Sequence, residues 1–282
     1  MSRWSNSVAL FKASWGVLRG DHSLALLPIA SGIACGIVGL SFALPIYALL
    51  GDGGTTDPSQ STSGGPAFWV LLGLGYLALA FVGIFFNAAL VYVADKRLHG
   101  EDVSLGEALR AAGSKVHLLL PWAIVSATVS LILRSLEERA GVIGTIAAGI
   151  AGVAWSVATF LVMPILVFEG LGPIAAAKRS GQLCKKTWGE NIIANGGIGL
   201  VGFVGIIAGL GPLGFLMWAG GGGIITVVGL VLFVAWTVTV AVVCNTLTGI
   251  LQTALYRFAR DGESVGFDGA QMTAMFAERR RR

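Results

Sequence analysis

The stretch AFWVLLGLGYLALAFVGIFFNAALVYVA, Ala67–Ala94, contains no Asp, Glu, Lys or Arg and stops against Asp95, Lys96 and Arg97. At 1.5 Å per residue, about 20 residues cross a ~30 Å hydrocarbon core, so a longer charge-free run reads as a membrane-crossing helix. Five further charge-free segments accompany it: Ser23–Leu50, Val116–Leu133, Val142–Phe168, Ile192–Trp218 and Ile224–Tyr256. Together the six hold more than half of the 282 residues. Only 12% of the chain is charged and 55% is hydrophobic, against about 25% charge in a soluble domain. A soluble enzyme, a nucleic-acid-binding module and a disulfide scaffold are excluded. The expected fold is all-α and polytopic, a single integral membrane domain over residues 1–282. It comprises an N-terminal interfacial helix at 4–19, spans at about 23–50, 67–94, 116–133, 142–168, 192–218 and 224–256, and a basic tail at 257–282.

The flanking charges set the orientation, because Lys and Arg concentrate on the cytoplasmic side. Arg3, Lys12 and Arg19 precede the first span, and Lys96, Arg97, Arg110 and Lys115 separate the second from the third. Lys178, Arg179, Lys185 and Lys186 separate the fourth from the fifth; Arg257, Arg260 and Arg279 to Arg282 follow the sixth. The other side holds only Arg134 and Arg139. Both termini are therefore expected in the cytoplasm. The amphipathic N-terminus, the long apolar run after it and the lack of an A-x-A site argue against a cleaved signal peptide. The outer loop, Gly51 to Pro66, is rich in Gly, Ser and Thr, the composition of a flexible segment.

A threefold pattern runs through the chain. Trp4, Val8, Phe11, Trp15 and Leu18 fall on one helical face. Ser104 followed by Glu107 makes a capping box, and Leu105, Ala108, Leu109 and Ala112 form the apolar side of the helix it opens. Pro173 suits a first helical position, after which Ile174, Ala177, Gly181, Cys184 and Trp188 make a third stripe. The exits of spans two and six also correspond: Ala89-Leu90 and Tyr92 before Gly100-Glu101-Asp102-Val103, and Ala254-Leu255-Tyr256 before Gly262-Glu263-Ser264-Val265. The expected units are residues 1–99, 100–171 and 172–262, each an interfacial helix followed by a transmembrane hairpin. Such helices lie among lipid headgroups with basic faces toward anionic lipid. Lys178, Arg179, Lys185 and Lys186 are the candidate headgroup contacts, since no acid occurs between Gly170 and Gly189. The plainer reading is that they mark topology alone.

Inside the spans there is no ionisable side chain of the kind a coupled transporter keeps there. Asn87, Asn245 and Gln252 are the candidate intramembrane polar contacts, with Thr159, Thr246 and Thr248 beside them. They serve either interhelical hydrogen bonding or the wall of a polar cavity. Gly32/Gly36, Gly205/Gly209 and Ala148/Gly152 are small-residue pairs suited to close helix packing. The glycines from Gly196 to Gly211, with Pro212, could instead break span five. Pro28, Pro45, Pro121 and Pro164 predict kinks or helix starts. Cys35, Cys184 and Cys244 are dispersed packing residues. His22, His99 and His117 stand too far apart for a metal site. The expected cofactor and metal complement is none. No catalytic motif is present, and Glu169 and Glu190 are more suited to surface pairing with Arg179, Lys185 or Lys186 than to acid–base work.

The block Pro164-x4-Glu169-x2-Gly172-Pro173-x2-Ala176-x2-Arg179-Ser180, ending in Trp188-Gly189-Glu190, carries a family resemblance, as do Phe86-Asn87-Ala88-Ala89-Leu90 and Gly100-Glu101-Asp102. The chain resembles an uncharacterised prokaryotic six-span membrane family, the domain of unknown function 6159. More remotely it is similar to the membrane domain of some glycerophosphodiester phosphodiesterases. The resemblance implies a multi-pass fold in the plasma (inner) membrane of a prokaryote and no assigned activity, and it transfers no catalytic residue. The expected function is non-enzymatic: a protein acting through membrane lipids, anionic on the cytoplasmic face, or through a protein partner or second copy, with no nucleic acid. The competing expectation is an uncoupled transporter or channel for a lipid-like or small apolar solute.

Overall fold

A helix satisfies its own backbone hydrogen bonds, which is what a bilayer demands of any segment that crosses it. The computed structural model describes residues 23–51, 65–139, 141–186, 205–210 and 224–261, and among these there is no strand. Helices α1 (Ser23–Gly51), α2 (Pro66–Leu98), α3 (Leu105–Ser114), α4 (Val116–Arg139) and α5 (Gly141–Thr159) come first. A short α6 (Val162–Pro164) runs into a π turn, Ile165–Glu169; α7 (Pro173–Lys186) and α8 (Ile224–Asp261) complete the order. Five stretches are long and apolar enough to cross a membrane: Leu26–Tyr47, Pro66–Leu98, Val116–Glu138, Gly144–Glu169 and Leu232–Arg260. The chain is an all-α, multi-pass membrane protein. Of the expected fifth span, 192–218, only the helical segment 205–210 is described. The helix expected at 4–19, the loop residues 52–64 and the tail beyond Asp261 lie outside the described residues.

The sequence signals for helix ends are met at several places. Ser104 is extended and its hydroxyl accepts a hydrogen bond from the Glu107 amide at 3.2 Å, which supplies an acceptor to one of the orphan donors of α3. Pro66 occupies the first turn of α2, where its missing N–H costs nothing. Span three overruns its charge-free limit at Leu133 by continuing to Arg139. Arg134 and Glu138 sit one turn apart at 3.2 Å on an exposed face, so both charges fit a helix that has left the apolar layer.

Burial is concentrated at one end of the bundle. Ala88–Val91 of α2, Phe160–Val167 around α6, and Leu247, Ile250, Leu251, Leu255 and Tyr256 of α8 make one core, joined by Ala112 of α3 and Leu183 of α7. By contrast Ile33, Ile37, Leu40 and Leu44 on α1, and Trp69 and Val70 on α2, are exposed. In water such a row would be an aggregation surface; in a bilayer it faces acyl chains as apolar as itself.

The small-residue pairs divide. At Gly205 a Cβ would stand 3.3 Å from Val240, and at Gly209 it would stand 2.9 Å from Trp236 Nε1, which donates to the Gly205 carbonyl at 2.8 Å. The partners run in opposite directions, so 205–210 packs antiparallel on α8 through its glycine face. Gly32 and Gly36 have open space at the Cβ position, so this pair does not bring α1 against another described helix. Ala148 is buried, whereas Gly152 faces open space. The stripe expected on α7 is also out of phase. Its buried face is Ala176, Ser180, Leu183 and Cys184, while Ile174 is 77% exposed. Ala177 and Gly181 lie on the flank, because Ser180 is drawn inward by a backbone partner described below.

Candidate functional site

The C-terminal ends of spans two, four and six meet at the packed end of the bundle. Contacts along the α2–α8 seam climb both helices together: Leu90 against Gly249, Val91 against Thr253, Asp95 against Arg257. The two helices are therefore parallel. A Cβ on Gly249 would stand 2.6 Å from Leu90 Cδ2, and Leu90 is itself buried. Thr253 donates to the Gly249 carbonyl at 2.9 Å and reaches Val91 O at 3.5 Å. Gly249→Val is expected to cost about 1–3 kcal/mol by overpacking. Thermal unfolding in detergent checks it, with Gly181→Ala, which meets open space, as the harmless comparison.

Asp95 and Arg257 close that seam with two parallel bonds, Nε to Oδ1 and Nη2 to Oδ2, each 2.7 Å. The Asp95 side chain is 7% exposed and that of Arg257 22%. The guanidinium also lies 5.3 Å from the Phe168 ring centroid, a distance for cation–π attraction. Phe168 in turn stacks on Tyr256 at 5.8 Å. In the sequence neither charge announces the other as its partner. Asp95 follows span two by one residue and Arg257 follows span six by one residue; the corresponding exits of the two spans are the signal that links them.

Glu169 forms the second half of the cluster. It accepts a hydrogen bond from the Tyr256 hydroxyl at 3.1 Å, and Arg179 Nε lies 3.6 Å from its other oxygen. Tyr256 accepts from Arg260 at 2.9 Å. The expected pairing of Glu169 with Arg179 is present, and Tyr256 joins it. Glu190 lies outside the described residues.

Pro164 explains why span four ends as it does. It has no N–H for the Phe160 carbonyl and its ring crowds that oxygen, and the helix duly opens at Phe160–Leu161. The Leu161 amide, in a fully buried residue, donates instead to Ser180 Oγ of α7 at 3.1 Å. Gly170 then takes the left-handed conformation, φ 65°, its amide donating to Ile165 O at 3.1 Å, and Pro173 opens α7. Thus the Pro164–Ser180 block is one device: a broken span, a left-handed turn, and a returning helix whose serine takes up the freed amide. Cys184, one turn beyond Ser180, is buried, and burial pushes its thiol up from the ordinary value, with the Ser180 contact and a backbone contact at Leu161 opposing.

The remaining candidate residues are spread out. Lys178 is exposed and Arg179 half-buried; the side chains of Lys185 and Lys186 are outside the description. Asn87 is half-buried, Gln252 buried and Asn245 exposed. Asn245 and Gln252 share a face of α8 seven residues apart, and of the two Gln252 lies at the packed end. Asn87 Oδ1 and Gln252 Oε1 are buried acceptors without a hydrogen-bond partner among the described residues. Among the described residues no group of three His, Cys, Asp or Glu side chains stands together as a metal site. Beside α7, an open groove of about 1050 Å³ separates it from α5.

These features define a class: a multi-pass α-helical membrane protein with three span ends tied by ion pairs and by a proline-broken fourth span. Within that class the chain belongs to the family of unknown function DUF6159, which matches residues 66–267. The match contains the whole Pro164–Ser180 block and both partners of the Asp95–Arg257 pair. No curated protein and no solved structure matches the chain. The remote likeness to the phosphodiesterase membrane domain gains no support from these comparisons.

Proposed function

We propose that this is a non-enzymatic protein of a prokaryotic plasma membrane, both termini cytoplasmic, that works through contact with anionic lipid of the cytoplasmic leaflet or with a partner held there. The observation that supports it is the placement of α3 and α7. Both lie at the end where α2, the π turn and α8 finish, each with an apolar face inward (Ala108 and Ala112; Ala176 and Leu183) and a cation outward (Arg110; Lys178). Amphipathic helices so placed lie in the headgroup layer, where each basic residue gains about 1 kcal/mol from an anionic surface. The pairing of Asp95 and Glu169 with arginines supports the same reading, since it occupies both carboxylates in holding helices together.

The test substitutes Lys178, Lys185 and Lys186 by Gln. Arg179 is kept because it faces Glu169. Copurified anionic lipid, counted by native mass spectrometry, is expected to fall while the fold is unchanged. Unaltered lipid and partner recovery would reduce the basic helix to a topology signal. The second reading, uncoupled passage of an apolar or lipid-like solute, is favoured by the Asn87 and Gln252 oxygens, which have no partner among the described residues; flux into liposomes that Gln252→Leu abolishes would establish it instead.

A further inference from the structure

Resting on that lipid-contact reading, we infer that the groove between α5 and α7 is a discrete site for an anionic phospholipid, one acyl chain lying in the groove and the headgroup at Lys178. Its first wall is Ile146, Ile150 and Val153 of α5, at helical spacing i, i+4 and i+7 on one face. These side chains are 59%, 68% and 63% exposed. Its second wall is Ala177 and Gly181 of α7, with Lys178 at the lip. Gly181 leaves room in this wall: nothing lies within 4 Å of where its Cβ would stand.

Three observations select the occupant. The volume, about 1050 Å³, lies just above the ~300–1,000 Å³ usual for small-molecule sites. The lining along α5 runs from Ile146 to Ala158, which at 1.5 Å per residue is roughly 18 Å, a little more than one leaflet of a ~30 Å core. A chain lying there would cross its own leaflet and end at α7, where its headgroup belongs. The lip carries Lys178 and the lining no carboxylate, nor does the sequence hold an acid between Gly170 and Gly189. An uncharged alkyl ligand gains nothing from that cation; a phosphate ester gains a counter-ion.

The full-length protein is reconstituted in vesicles of phosphatidylglycerol and phosphatidylethanolamine, extracted gently and weighed by native mass spectrometry. One phosphatidylglycerol is expected on the unaltered protein. Gly181→Phe fills the groove without changing charge and is expected to cut its occupancy about tenfold, a loss of one decade in affinity. Gly181→Ala is expected to keep it, and Lys178→Gln to keep a chain but lose the preference for phosphatidylglycerol. Retention by Gly181→Phe overturns the groove site. If the triple lysine variant then still loses lipid, the headgroup reading stands without the groove; if it too retains lipid, both fall. A photo-crosslinking residue at Ile150 gives a second readout should Gly181→Phe not fold. A lipid adduct supports the site, and an adduct to a second copy or to residues 187–204 of the same chain overturns it.

Discussion

Cutting Arg257 back to Met is expected to lower the stability of the bundle by about 3–5 kcal/mol, because it takes the two-pronged partner from the buried Asp95 carboxylate and leaves it the His99 ring at 4.0 Å. The Asp95 side chain is 7% exposed and both its oxygens receive a guanidinium N–H at 2.7 Å. Asp95→Leu should cost less, since the Arg257 guanidinium is 22% exposed and keeps its contact with the Phe168 ring. The double variant Asp95→Leu/Arg257→Met should recover most of the loss, since removing a buried pair together is often neutral or stabilising. Arg257→Lys keeps the charge but not the two-pronged geometry, so it should fall between. Unfolding in mixed micelles, followed by loss of helical circular dichroism, measures all four. Single variants costing under about 1 kcal/mol would show a pair screened as a surface one is. The expected non-additivity carries a structural meaning: the pair specifies that the ends of spans two and six meet at this register.

That register marks the limit of what the residues disclose by themselves. Charge-free length suffices for the five described spans, because crossing a bilayer is a demand on each segment alone. Caps are equally legible: Ser104 and Glu107 are three residues apart and their bond is local. Pairings across the bundle are not. Asp95 and Arg257 are 162 positions apart, and each looks like an ordinary flanking charge until α2 and α8 are laid side by side. The α7 stripe drawn from hydropathy is one position out, because hydropathy alone ranks Ala177 and Gly181 above Ser180. The buried position belongs to Ser180 for a reason of hydrogen bonding, supplied by a residue 19 positions earlier. Gly205 and Gly209 pack as their spacing suggests, while Gly32 and Gly36 do not; a small-residue pair permits close approach but does not supply the second helix.

The break in span four is where the sequence motif and the packed end become one problem, and a double-mutant cycle separates cause from consequence. Ser180→Ala removes the acceptor of the buried Leu161 amide and should cost about 1–3 kcal/mol, the desolvation penalty of an unpaired donor. Pro164→Ala restores an N–H able to bond the Phe160 carbonyl and lets Leu161 return to the Val157 carbonyl, now taken by the Phe160 amide at 3.3 Å. In that background Ser180→Ala should cost clearly less, with a coupling of about 0.5–3 kcal/mol. Strict additivity would mean that the break persists without the proline and is imposed by α7. Pro164→Ala is not expected to be harmless, however. Straightening the helix rotates the following turn, and that turn carries Phe168, stacked on Tyr256, and Glu169, bonded to Tyr256 and facing Arg179. The same substitution should therefore weaken the Asp95–Arg257 coupling measured in the first cycle, because Phe168 supports the guanidinium. The proline thus acts through geometry: it turns the end of span four toward spans two and six, and sets α7 across that end with Lys178 outward.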